Sequence, residues 1–100
     1  MKSITITGTF GGKFNNSVTL DVYIPNTNPN SYDFRKRYTK SFEETLSDLD
    51  PDTKYNIDFT GSTPTSFKYE ITGELLNPIT PDEPQLHNSF NGGEIIKTNA

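Results

Sequence analysis

The feature that most restricts this chain is the two-residue alternation of its apolar side chains. Ile4, Ile6, Gly8 and Phe10 share one parity, with Thr5, Thr7 and Thr9 on the other. Phe14, Val18, Leu20, Val22 and Ile24 repeat the pattern opposite Ser17, Thr19, Asp21 and Tyr23. A period of two sends successive side chains to opposite faces of a strand, whereas an amphipathic helix repeats every three to four residues. The residue types agree: seven Phe, five Tyr and eight Ile stand beside a single Ala, which argues against a helical bundle. Thr, Ser and Asn add 32 residues of the kind found on strand faces and in turns.

The 100 residues allow one ordinary domain, which buries roughly 65% of its extended surface on folding. The chain has no cysteine, so disulfides, thiolate metal sites and cysteine nucleophiles are excluded. A net charge of −4 argues against binding a nucleic-acid backbone, which needs a concentrated basic surface. No run approaches the ~20 apolar residues of a transmembrane helix. Met1-Lys2-Ser3-Ile4-Thr5 alternates at once, without the apolar core of a secretory signal. That start fits a cytoplasmic protein and equally a secreted or cell-surface piece.

Along the chain, Gly11-Gly12 ends the first strand and Pro25 the second, and the two are expected to pair as a hairpin. Residues 25–31 form a loop on turn chemistry. From Tyr32 to Phe42 the aromatics Tyr32, Phe34, Tyr38 and Phe42 share a parity with Lys36 and Lys40, which reads as a strand with lysines at its ends or at a bulge. Ser41-x-x-Glu44 matches a helix capping box, and Phe42, Leu46 and Leu49 fall at helical spacing. The competing reading, a short strand and a corner, is preferred on the strength of residues 46–59.

Leu46-x-x-Leu49-x-Pro51-x-Thr53-x-Tyr55-x-Ile57-x-Phe59 places a leucine, a proline and a tyrosine at the start of an alternating strand. This pattern resembles the E–F corner of fibronectin type III domains and related immunoglobulin-like sandwiches. The resemblance covers residues 41–73 and implies a small antiparallel β-sandwich of six to eight strands, with Leu49, Pro51 and Tyr55 as its structural corner. In such a corner the tyrosine ring fills the end of the sandwich and its hydroxyl reaches a main-chain group upstream. Tyr55–Thr60, a loop over 61–65 and Phe67–Gly73 would then form a hairpin. The chain has no tryptophan, which the family usually places on an early core strand; Leu20, Val22 or Tyr38 must fill that volume.

Residues 1–76 are assigned to the sandwich and 77–100 to a Pro-containing tail, partly docked, whose Asn91-Gly92 suggests a terminal hairpin. Asp48, Asp50 and Asp52 match the first positions of a calcium loop, but Thr53 and Phe59 stand where that loop needs Gly and Glu. A solvated acidic turn is the preferred reading. Arg35, Lys36, Arg37 and Lys40 are read as an exposed strand face and not as a nucleic-acid platform. His87 is the only histidine and lies without a triad around it. No catalytic constellation and no cofactor motif emerges.

Tyr23, Asn26, Asn28, Asn30 and Tyr32 combine aromatic and amide groups suited to protein or sugar recognition. The expectation is a non-catalytic binding or structural module with a protein or carbohydrate partner. A carbohydrate-binding accessory domain and a small subunit that completes an enzyme with a partner are the alternatives.

Overall fold

A computed structural model describes residues 1–25, 32–80 and 86–100, with the side chains of 86–88 excepted. The described residues form six strands and no helix: β1 (Lys2–Phe10), β2 (Ser17–Tyr23), β3 (Asp33–Tyr38), β4 (Phe42–Leu49), β5 (Lys54–Gly73) and β6 (Leu86–Lys97). All pairings are antiparallel and belong to one curled sheet.

β5 organises this sheet because it is 20 residues long and is paired along both flanks. On one flank its second half pairs with β1, Phe67 opposite Phe10 and Gly73 opposite Ile4. Its first half pairs on the same flank with β2, Ser62 opposite Ser17 and Asn56 opposite Tyr23. β6 occupies the other flank from Lys54 to Phe67. β1 and β2 therefore lie end to end and do not form the expected hairpin. The six residues between them bend the chain without reversing it, and Asn15 takes a left-handed φ of 60° there. β3 and β4 are likewise end to end, outside β2 and β1.

Residues 61–65, expected as a loop, lie inside β5. Gly61 is there for closeness: a Cβ would stand 1.9 Å from the Ser17 carbonyl oxygen. Thr63 is buried and donates to Asn16 Oδ1 at 2.6 Å. Pro64 falls where the β5–β6 register skips from Thr63 to Ser66, so its missing N–H costs no ladder bond. Asn91-Gly92 is not a turn either; it lies within β6. Gly93 opposes Asp58, and a Cβ there would meet the Asp58 Oδ1 at 2.3 Å, so glycine serves a close approach. The helical alternative for residues 41–49 is not adopted. Ser41 Oγ accepts the N–H of Phe10 at 3.0 Å, not one from its own segment.

The bend at 11–16, the joint at 39–41 and the register skip at 63–66 line up across the sheet. Along that crease the single sheet curls, and the leaves on either side of it meet through side chains such as Lys36 on β3 and Glu44 on β4. Phe67 sits at the centre, with its ring 5.0 Å from Phe10, 5.5 Å from Phe59 and 5.5 Å from Phe90. Ile4, Ile6, Val18, Leu20, Ile57 and Ile71 complete a buried core on the predicted parities. The Tyr69 hydroxyl reaches from one leaf to Glu94 on the other at 3.0 Å. Tyr38 stacks on Phe42 at 3.7 Å and its hydroxyl donates to Glu44. Lys36, on the inner parity of β3, is 3.7 Å from the same Glu44.

The C-terminal segment belongs to the same structure. Phe90 and Ile96 are buried, whereas Ile95, on the opposite parity, is 66% exposed. Leu75 and Thr98 form an isolated bridge. Thr98 is fully buried, donating to the Asp50 carbonyl at 2.7 Å and accepting the Thr53 N–H at 2.9 Å.

Candidate functional site

The crease opens a cleft of about 560 Å³ at the end of the fold. Phe10 from the end of β1 lines it, with the backbone of Gly11 and Gly12. Both glycines pack against the β5 skip, where a Cβ on Gly11 would be 2.7 Å from Ser66 Oγ. Lys13 and Phe14 follow, and Lys40 and Ser41 enter from the joint between β3 and β4. Asn16 is buried at the edge, with Nδ2 donating to the Gly12 carbonyl at 2.9 Å. That bond holds the bend in shape. Phe14 is 78% exposed. Among the described residues Lys13 and Lys40 have no ion-pair partner, as is also true of Arg37, Lys54 and Lys68, while Lys2, Arg35, Lys36 and Lys97 each have one.

A second, more polar groove of about 340 Å³ lies on the outer face, lined by Asp21, Tyr23, Asp33, Arg35 and Asp58. The register forces the carboxylates together, because Asp21 is directly opposite Asp58 on β5 and opposite Arg35 on β3. The Asp21 carboxyl is pushed up from the usual range. Burial is the largest cause; Asp33 and Asp58 add to it, and Arg35, 3.6 Å away, works against it. The Tyr23 hydroxyl donates to Asp58 at 2.9 Å and accepts from Asn56 Nδ2 at 3.2 Å. Asn56 Oδ1 is buried without a partner.

The structure separates the residues the sequence grouped as a binding face. Tyr23 lies on the outer parity of β2, but Tyr32 turns inward, edge-on to Tyr55 at 5.4 Å, and its hydroxyl donates to Asp48 at 2.9 Å. Burial, followed by the Asp48 bond and charge, raises the Tyr32 hydroxyl above its ordinary value. Asn26, Asn28 and Asn30 lie outside the described residues.

The three aspartates of the calcium pattern are engaged separately. Asp48 takes the Tyr32 hydroxyl, Asp52 is 3.2 Å from the Lys97 ammonium, and Asp50 uses its main chain. No group of three His, Asp or Glu side chains able to hold a metal ion occurs among the described residues. At the corner, Leu49 and Tyr55 are buried, Pro51 is in the turn, and the Tyr55 hydroxyl accepts the Asp50 N–H at 2.8 Å. The basic cluster is split between faces: Arg35 meets Asp21, Arg37 Nε donates to Ser17 Oγ at 2.9 Å, and Lys36 turns inward. His87 pairs through its backbone with Ser66.

Sequence reasoning missed the cleft because it treated Phe14 as part of a strand face. The available signal was Gly-Gly-Lys-Phe-Asn-Asn, six residues that put an aromatic between two turn-forming pairs. The fold defines an all-β protein built on one curled antiparallel sheet. Among the described residues no helix is long and apolar enough to cross a membrane. Comparisons with family models, with curated proteins and with solved structures found no match.

Proposed function

We propose that this chain is a non-catalytic binding module, a β-sandwich of the fibronectin type III-like or immunoglobulin-like kind, with its ligand held in the crease cleft. The observation that carries this reading is the open Phe14 beside a ligand-sized hollow whose lysines are uncommitted. Elsewhere the tyrosines serve the framework. Tyr23, Tyr32, Tyr38 and Tyr69 each bond a carboxylate, and Tyr55 takes a main-chain N–H. A group already locked into such a pair must break it before it can serve a substrate. What supports the sandwich kinship is the bond from Asp50 N–H to the Tyr55 hydroxyl, with Leu49 buried beneath the turn.

The test is a nuclear magnetic resonance titration of the ¹⁵N-labelled chain with a panel of glycans, peptides and small organic acids. Saturable shifts concentrated at residues 10–16 and 40–41 are expected. Shifts concentrated around Tyr23 and Asp58 would overturn the placement and favour a carbohydrate accessory domain, since the outer groove offers an aromatic ring and hydroxyl acceptors. Turnover of any substrate by the isolated chain would overturn the non-catalytic reading.

A further inference from the structure

We propose that the crease cleft binds a small organic acid: a carboxylate joined to an aromatic or compact aliphatic body, of the size of an arylalkanoic acid. This rests on the reading of the chain as a binding module and adds the chemical class of the ligand.

Size comes first. At about 560 Å³ the cleft lies within the range of small-molecule sites and below the needs of a folded partner. The apolar half of the ligand follows from the phenylalanines. Of the seven, six are buried or half-buried, and Phe14 alone is exposed, at 78%. It stands over a hollow floored by Phe10 and by the side-chain-free backbone of Gly11 and Gly12. A flat apolar body laid there would cover the Phe14 ring against the backbone of Gly11 and Gly12. A Cβ on Gly11 would come within 2.7 Å of the Ser66 hydroxyl and one on Gly12 within 3.0 Å of the Thr65 methyl, so glycine lets the bend lie close against the β5 skip.

The charged half follows from the rim. The chain carries −4 overall, yet both lysines at this cleft lack an ion-pair partner among the described residues. A hydroxyl lines the same cleft: Ser41 Oγ accepts the Phe10 N–H at 3.0 Å, which leaves its own proton to donate. Two ammonium groups and one hydroxyl supply donors for both oxygens of a carboxylate.

The experiment titrates the full ¹⁵N-labelled chain with 3-phenylpropionate, with its neutral amide, and with acetate. Phenylpropionate is expected to give saturable shifts at Gly11, Gly12, Phe14 and Ser41, with acetate failing to saturate and the amide about ten-fold weaker. Lys13→Gln and Lys40→Gln should each weaken binding about three-fold, as expected for solvent-exposed charge pairs, and added salt should do the same. Phe14→Ala, a change at an exposed position, should weaken binding about ten-fold while leaving the spectrum of the core unchanged. If the amide binds as tightly as the acid, the organic-acid class is overturned and the binding-module reading stands. If glycans or peptides alone shift the cleft residues, the result is the same. If no member of the panel shifts them, both readings fall.

Discussion

Replacing Thr98 by valine deletes a hydroxyl while keeping the shape of the side chain, so its cost measures hydrogen bonding without a cavity. Thr98 is fully buried and serves two main-chain groups, donating to the Asp50 carbonyl at 2.7 Å and accepting the Thr53 N–H at 2.9 Å. Leaving a buried polar group unpaired costs ~1–3 kcal/mol. Because the turn is partly open to water, we expect Thr98→Val to cost about 2 kcal/mol, near the middle of that range. For a domain of this size, that lowers the melting temperature by roughly 8–16 °C. Urea unfolding should show a lower midpoint at unchanged slope. Thr98→Ser, which keeps the hydroxyl and loses one methyl, should cost only ~0.8 kcal/mol. Tyr55→Phe removes the acceptor of the Asp50 N–H, so the two hydroxyls hold opposite ends of one residue's main chain. The double variant should therefore depart from additivity by at least ~0.5 kcal/mol. A Thr98→Val cost no larger than that of Thr98→Ser would refute the argument.

Three further outcomes follow from the geometry. Gly61→Ala places a Cβ 1.9 Å from the Ser17 carbonyl oxygen, a backbone clash no rotamer can relieve, and should destabilise by ~2–4 kcal/mol in urea unfolding. Asp21→Asn removes one member of the directly opposed Asp21–Asp58 pair. Asp21 is raised in the folded state, so its ionisation opposes folding above its unfolded value of 3.8. The variant should thus gain ~0.2–1 kcal/mol at neutral pH and lose that advantage as pH falls below the unfolded value. Tyr69 is pushed up to about 12 from 10.0, chiefly by burial and then by Glu94. A raised tyrosine favours the fold fully below pH 10.0, and that contribution is lost as pH rises toward 12. Stability should decline in that window by up to about 1.4 kcal/mol per pH unit for this residue. Phenolate absorbance and urea midpoints measured together check it, and Tyr69→Phe should flatten the decline.

The parities of the core were legible in the sequence, because alternation is a local property of a strand. Ile4, Leu20, Ile57 and Ile71 are buried where the pattern placed them. The course of the chain between strands was harder to read. Glycine and proline are punctuation in most sequences, yet Gly61, Pro64, Gly92 and Gly93 are accommodated within strands here. The reason is long-range: Gly61 and Gly93 each answer to a neighbouring strand that comes too near for a side chain, and the sequence around them does not contain that neighbour. One clue was present. Apolar residues keep even parity from Ile4 to Ile24 and odd parity from Tyr55 to Ile71, through both supposed turns. The inner-face charges were illegible for the same long-range reason. Lys36 and Glu44 look misplaced on an apolar parity until the curl of the sheet pairs them.

The candidate cleft follows from that same folding back. A strand crossing from one leaf to the other must bend, and the pleat cannot keep side chains packed on both sides of the bend. β5 crosses with a register skip, and the chain from β1 to β2 crosses with a six-residue excursion. The longer crossing lies on the outside and carries Lys13 and Phe14 away from the core. Asn16 then fixes it, through the Gly12 carbonyl on one side and the Thr63 hydroxyl on the other. The excursion is tied at its base by two hydrogen bonds of the buried Asn16 side chain, with an open aromatic beyond them. A binding residue held on such a base loses less conformational freedom when it engages a ligand than one on an untethered loop. Asn16→Ala should therefore weaken ligand capture at Phe14 although Asn16 itself is 5% exposed and positioned to bond the chain. An Asn16→Ala chain that stays folded and binds unchanged would show that the bend needs no such anchor.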